Sequence, residues 1–103
     1  MTPYKKVLDW IAIEKDVREA TDLEYGPAKP TSDTFVKSSY IAERVLASPA
    51  LYPGFVGADA RQARARVTIV MKNHMKWAVH RRARGCRGSG IFVRPRADAE
   101  RAV

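Results

Sequence analysis

Twelve side chains in the second half of this sequence are of the kinds that meet phosphates and base edges. Arg61, Gln62, Arg64, Thr68, Lys72 and Lys76 fall in one stretch, and Arg81, Arg82, Arg84, Arg87, Arg94 and Arg96 in the next. Their chemistry is recognition rather than bond-making. A guanidinium offers a planar fork that takes a phosphate or a guanine edge bidentately, and an ammonium neutralises a phosphate as a point charge. Positions 61, 64, 68 and 72 recur at three- and four-residue steps, which would place them on one helical face. Arg61, Gln62 and Arg64 stand at the start of that face, where base-edge contact is expected, and Lys72 and Lys76 are suited to phosphates farther along. In the second set, Arg84 and Arg87 flank glycines that allow close approach to a phosphate or a minor-groove wall.

Other chemistry is poorly served. His74, His80 and Cys86 lie six residues apart without the closely spaced ligand pair of a zinc site, so no metal is expected. His74 is expected to pack on the C-terminal strands, and His80 to meet backbone or phosphate. Cys86 sits between Arg84 and Arg87, which would favour its thiolate, but no oriented base accompanies it. The run 85–90 is glycine-rich but lacks the Lys-Ser/Thr ending of a phosphate-cradling loop. Asp9, Glu14 and Asp16 are read as solubilising or pairing residues, not as convergent metal-binding carboxylates. Neither an enzyme nor a cofactor is expected.

The charge distribution supports a polyanionic partner. Of the net +8, residues 1–58 carry −1 and residues 59–103 carry +9, with ten of the twelve later bases being Arg. No acid occurs from residue 60 to residue 76, whereas an ordinary solvated face mixes both signs. At 103 residues the chain has length for one modest core. No apolar run approaches a membrane span, and the N-terminus lacks a secretory pattern. A single cysteine excludes an internal disulfide framework, and a cytoplasmic, reducing location is expected.

The elements that would hold these residues follow from periodicity and breakers. Residues 2–20 read as a helix capped by Thr2-Pro3, with Tyr4, Val7, Leu8, Ile11 and Ala12 as its apolar stripe, widened by Trp10, Ile13 and Val17. Glu14–Arg18 and Lys15–Glu19 form pairs on its wet side. Residues 21–33 are a Gly/Pro-rich connector. Residues 34–47 read as a second helix capped by Ser32 or Asp33, burying Phe35, Val36, Tyr40, Ile41, Val45 and Leu46. Residues 48–58 turn the chain and tuck Leu51, Tyr52, Phe55 and Val56 onto the core. Asp59 caps a third helix over 60–76, although the β-branched run 67–70 also fits a strand. Residues 77–81 and 91–94 read as two strands of a hairpin around a glycine-rich tip, with Trp77 and Phe92 facing the core and Pro95 ending the second strand.

The order is three helices followed by a hairpin, mainly α with a C-terminal β-hairpin, and it resembles a winged-helix domain. The resemblance is architectural and covers residues 1–96, with 97–103 as a flexible tail. It implies a DNA-binding transcriptional regulator or architectural protein, with the third helix in the major groove and the Arg-rich hairpin on phosphates or in the minor groove. The link between the second and third helices, about eleven residues, departs from the usual three or four. The expected partner is duplex DNA. RNA within a ribonucleoprotein is the alternative, as is an acidic protein bound in inhibitor fashion with Tyr25, Tyr40, Tyr52 and Phe55 as anchors. A homodimer would add specificity, but no heptad seam announces one. Membrane binding is disfavoured by the small apolar side of the third helix.

Overall fold

The computed structural model describes residues 8–27, 29, 33–80 and 90–95. It is mainly helical with a small three-stranded antiparallel sheet. The order is α1 (Trp10–Tyr25), β1 (Thr34–Lys37), α2 (Ser38–Ala47), a 3-10 turn (Pro53–Phe55), α3 (Ala60–Ile69), a π-helical turn (Val70–His74), β2 (Ala78–Val79) and β3 (Ile91–Arg94). The sheet order is β1-β3-β2. Among the described residues no helix is long and apolar enough to cross a membrane.

Helix α1 starts at Asp9, whose carboxylate accepts from the Ala12 N–H at 3.2 Å, and not at Thr2, which lies outside the described residues. Its phase also differs from the expected stripe. Ile13, Val17 and Ala20 are buried, while Ile11 is 85% exposed. Two residues of polar type, Asp16 and Thr21, complete the inner face. Thr21 satisfies its hydroxyl locally, donating to the Val17 carbonyl at 2.6 Å. The pairs Lys15–Glu19 at 3.1 Å and Glu14–Arg18 at 3.2 Å lie on the outer side as expected. Gly26, at φ +79°, ends the helix by donating its N–H to the Asp22 carbonyl.

The expected second helix divides in two. Residues 34–37 form β1, and only 38–47 are helical. The physical reason is non-local. Thr34, Phe35 and Val36 are good strand residues, and β3 offers them an open edge: Thr34 pairs with Arg94, Phe35 with Val93, Val36 with Phe92 and Lys37 with Ile91. Neither Ser32 nor Asp33 therefore caps α2. Lys37 occupies the cap position without a side-chain bond. The strand turns Val36 inward and leaves Phe35 57% exposed, and Tyr40 is exposed too, contrary to the expectation that both are buried. In the following link Tyr52 and Phe55 reach the core, whereas Leu51 and Val56 stay outside.

Gly54 holds this link in place. Its N–H donates to Asp16 Oδ2 at 2.8 Å and its carbonyl accepts from Arg66 Nη1 at 3.2 Å, so one glycine joins α1 to α3. Asp16 is thus a buried structural acceptor, and desolvation raises its pKa above 3.8 against the lowering effect of the Gly54 N–H. The cluster of Ile13, Val17, Ile41, Val45, Val67 and Met71 forms the centre of the core. Burial of each such aliphatic side chain stabilises the fold by roughly 1.5–3 kcal/mol.

Helix α3 has its expected start. Asp59 accepts from the Gln62 N–H at 2.8 Å, and Gln62 Oε1 accepts from the Asp59 N–H at 3.1 Å, a reciprocal capping box. Residues 67–69 are helical, not a strand, but the regular α-helix stops at Ile69. A wider turn follows, in which the Met75 N–H bonds the Val70 carbonyl, five residues back. This turn keeps Val70, Met71 and Met75 all buried. The chain then leaves the helix through Lys76, which adopts the left-handed conformation at φ +60°. The two C-terminal strands pair as expected, Ala78 with Val93 and Val79 with Phe92, but of the expected strand over 77–81 only 78–79 is formed among the described residues. Trp77 and Phe92 face the core.

Candidate nucleic-acid interface

Helix α3 is the element that positions the first group of expected site residues. Ala63 and Val67 anchor its inner side, and Arg61, Gln62 and Arg64 are exposed on the outer side with Thr68 partly exposed. Arg61, Arg64 and Thr68 remain on one face at three- and four-residue steps. Lys72 is exposed too, but the π turn intervenes, so its position no longer follows from α-helical spacing. Lys76 stands apart at the left-handed exit of the helix. Gln62 has a local task, since its carbonyl is engaged at the α3 cap.

Of the second group, Arg81, Arg82, Arg84, Arg87 and Arg96 lie outside the described residues, as does Cys86. Arg94 is described, and it does not belong to an exposed basic surface. It is only 3% exposed. Its Nη1 donates to Asp22 Oδ1 at 2.7 Å, its Nη2 donates to the Gly26 carbonyl, and its guanidinium carbon lies 6.0 Å from the Trp77 ring centre. The inward face of β3 places it there, as the alternation of the strand requires. Arg94 is therefore a tie between the sheet and the C-terminal end of α1.

The two histidines diverge. His74 packs on α1, with its ring 5.2 Å from that of Trp10 and its Nδ1 3.6 Å from Glu14 Oε1, and not on the strands. His80 donates its backbone N–H to the Ile91 carbonyl at 2.8 Å, and its ring lies 4.6 Å from Phe35. No cluster of metal-ligating side chains occurs among the described residues.

One feature was not legible in the sequence. Between the first turn of α2 and the outer face of α3 runs an open groove of about 480 Å³, bordered by Ser38, Ser39, Arg64, Thr68, Ile69 and Gly90. In a helix over 34–47, Ser38 falls outside the set of residues expected to be buried. The turn from β1 into α2 instead buries it against Gly90, whose carbonyl accepts the Ser38 N–H at 2.8 Å. Ser38 and Ser39 stand inside the first turn and Lys37 holds the cap position, so no capping signal marks this start in the sequence. Gly90, at φ +60°, has no space for a side chain, because a Cβ would collide with Ser38 Oγ.

No protein-family model matches the chain, and neither the curated proteins nor the solved structures contain a match to it.

Proposed function

We propose that this chain is a small duplex-DNA-binding module of winged-helix type, acting as a transcriptional regulator or an architectural factor. The observation that carries the proposal is the outer face of α3, where Arg61 and Arg64 are exposed in a run free of acids from residue 60 to residue 76. A helix of this kind fits the major groove, and its first turns reach base edges. The succession α1, β1, α2, α3, β2, β3 supports the winged-helix arrangement, because it puts a hairpin directly after the exposed helix. The chain leaves the sheet at His80 and returns at Gly90, which borders the same groove as Arg64. Arg81, Arg82, Arg84 and Arg87 are covalently tethered between those two points, and phosphates flanking the α3 site are their proposed targets. The long α2–α3 link is compatible with this role because Gly54 fixes it to both α1 and α3.

The test is a titration against random-sequence duplex DNA at several salt concentrations. Each neutralised phosphate contributes about −0.9 to the slope of log affinity against log salt, so Arg61→Ala with Arg64→Ala should reduce the slope by about 2. A sequence-dependent loss supports groove reading. Absence of salt-dependent binding by the wild type refutes the proposal. A second reading, binding of structured or single-stranded RNA, is favoured by two observations: the exposed Phe35 ring meets that of His80 at 4.6 Å with a tilt of 50°, and Lys37 lies 4.9 Å above the exposed Tyr40 ring. Tighter binding to RNA than to duplex DNA, lost in Phe35→Ala, would select it.

A further inference from the structure

We infer that Val56 reads the C5-methyl group of thymine in the major groove beside α3, adding sequence choice to a face that otherwise neutralises phosphate. The inference deepens the duplex-DNA reading and rests on it for the position of the helix. Residues 49–58 carry no charged side chain, in a chain that is 29% charged. The link divides between core and surface: Tyr52 and Phe55 are 2% exposed, whereas Leu51 is 63% and Val56 62% exposed. Val56 is nevertheless held in place. Its N–H donates to the Pro53 carbonyl at 3.3 Å, and the Ala58 N–H donates to the Phe55 carbonyl at 3.1 Å, so the turns on both sides of it are closed. The buried Phe55 precedes it, and two residues before Val56 the Gly54 peptide is tied to Asp16 of α1 and to Arg66 of α3. An isolated exposed aliphatic residue is ordinary on a protein surface. One pinned by its neighbours, with a χ1 that β-branching restricts, is preorganised for contact and loses little entropy on burial.

What Val56 can contact follows from its place. Gly57, at φ +83°, turns the chain toward the Asp59 cap, and Arg61 stands five residues after Val56. Five residues span at most about 17 Å, or about five base-pair steps. A Cβ built on Gly57 would meet no atom of the described residues within 4 Å, so the surface beside Val56 is open to close approach. The single acid between residues 49 and 76 is Asp59, and its carboxylate is engaged by the Gln62 N–H at 2.8 Å. Val56 therefore adjoins the start of α3, the part of a groove-bound helix that reaches base edges. The apolar group that duplex DNA offers there is the thymine methyl, which projects into the major groove. Two aliphatic side chains fall far short of the roughly 800 Å² per partner of a stable protein interface, so a second copy is not the fitting occupant. Leu51 is as exposed as Val56 but stands ten residues from Arg61, on the far side of the buried Tyr52 and Phe55 in the chain.

The experiment uses the full chain to select preferred duplexes from a random-sequence pool. These are remade with deoxyuridine in place of thymidine, which deletes the methyl and keeps the phosphates and the hydrogen-bonding edges. Binding is read by fluorescence anisotropy at several salt concentrations. The wild type is expected to bind the uracil duplex about fourfold more weakly for each methyl it covers. Val56→Ala should bind the thymine duplex correspondingly more weakly and lose most of that discrimination. Its salt slope should not change, because an apolar contact releases no counterion. Leu51→Ala should discriminate as the wild type does, and Arg61→Ala should lower the slope by about 1. The melting temperature of Val56→Ala should match the wild type, since the side chain is exposed. No uracil penalty in the wild type, or an equal penalty in Val56→Ala, overturns the inference while the duplex reading stands. Duplex binding that selects no sequence overturns it likewise. If the wild type binds no duplex, or binds RNA more tightly, both fall.

Discussion

Removing the Arg94–Asp22 pair should cost stability without touching the interface. The Nη1–Oδ1 distance is 2.7 Å, with the Arg94 side chain 3% exposed and the Asp22 side chain 56% exposed. At an effective dielectric constant of about 20 the attraction at this separation is about 6 kcal/mol. Desolvation of the guanidinium offsets several kcal/mol of that, and its Nε finds no acceptor, so about 2 kcal/mol net is expected. Arg94→Met keeps the apolar stem against Trp77 and loses the pair and the bond to the Gly26 carbonyl, at a cost of about 2 kcal/mol. Asp22→Asn leaves a buried cation with Gly26 as its remaining acceptor, again about 2 kcal/mol, because the partner lost was half solvated. The two losses should not add: the double variant should fall about 1–2 kcal/mol short of their sum. Urea unfolding followed by tryptophan fluorescence and far-ultraviolet dichroism measures all four proteins, and a single loss should lower the melting temperature by roughly 10 °C. Simple additivity within about 0.5 kcal/mol would refute the coupling. A reduced salt slope for nucleic-acid binding by folded Arg94→Met would refute the assignment of Arg94 to the interior.

Three further outcomes follow from the same geometry. Gly54→Ala places a Cβ 2.8 Å from Asp16 Oδ2 and 3.0 Å from the Ile13 Cα, and since backbone cannot yield, a loss of about 2–3 kcal/mol is expected in urea unfolding. Asp16 has a folded pKa raised above 3.8, so its favourable contribution is complete below that value and is lost as pH rises through the folded pKa. Asp16→Asn keeps an acceptor for Gly54 and has no such loss. Its stability relative to wild type should therefore improve across that window by about 1.4 kcal/mol for each pH unit separating the two pKa values, and a difference flat with pH would refute the assignment. Lys76→Gly releases a left-handed residue at φ +60° and should raise stability by about 1 kcal/mol, checked by thermal melting.

Sequence by itself determined the features that depend on neighbours along the chain. The Asp59 cap and Gln62 three residues later set the start of α3, Pro95 bounds β3, and the i,i+4 pairs of α1 follow from spacing alone. The partition of charge between the two halves is likewise a property of the sequence. Tertiary structure decided what depends on partners far along the chain. Residues 34–37 read as the start of a helix until β3, at residues 91–94, presents an edge. Ile11 and Ile13 are equally apolar, and only the packing of Tyr52, Phe55 and α3 on α1 selects Ile13. Asp16 reads as a surface acid until Gly54 brings it a donor, and Arg94 reads as one more exposed cation until Asp22 and Gly26 close over it. The Ser38 groove exists only because β1 ends where α2 begins. Local hydrogen bonds and periodicity are encoded within a few residues, whereas burial of a polar side chain requires a specific donor or acceptor that only the completed fold supplies.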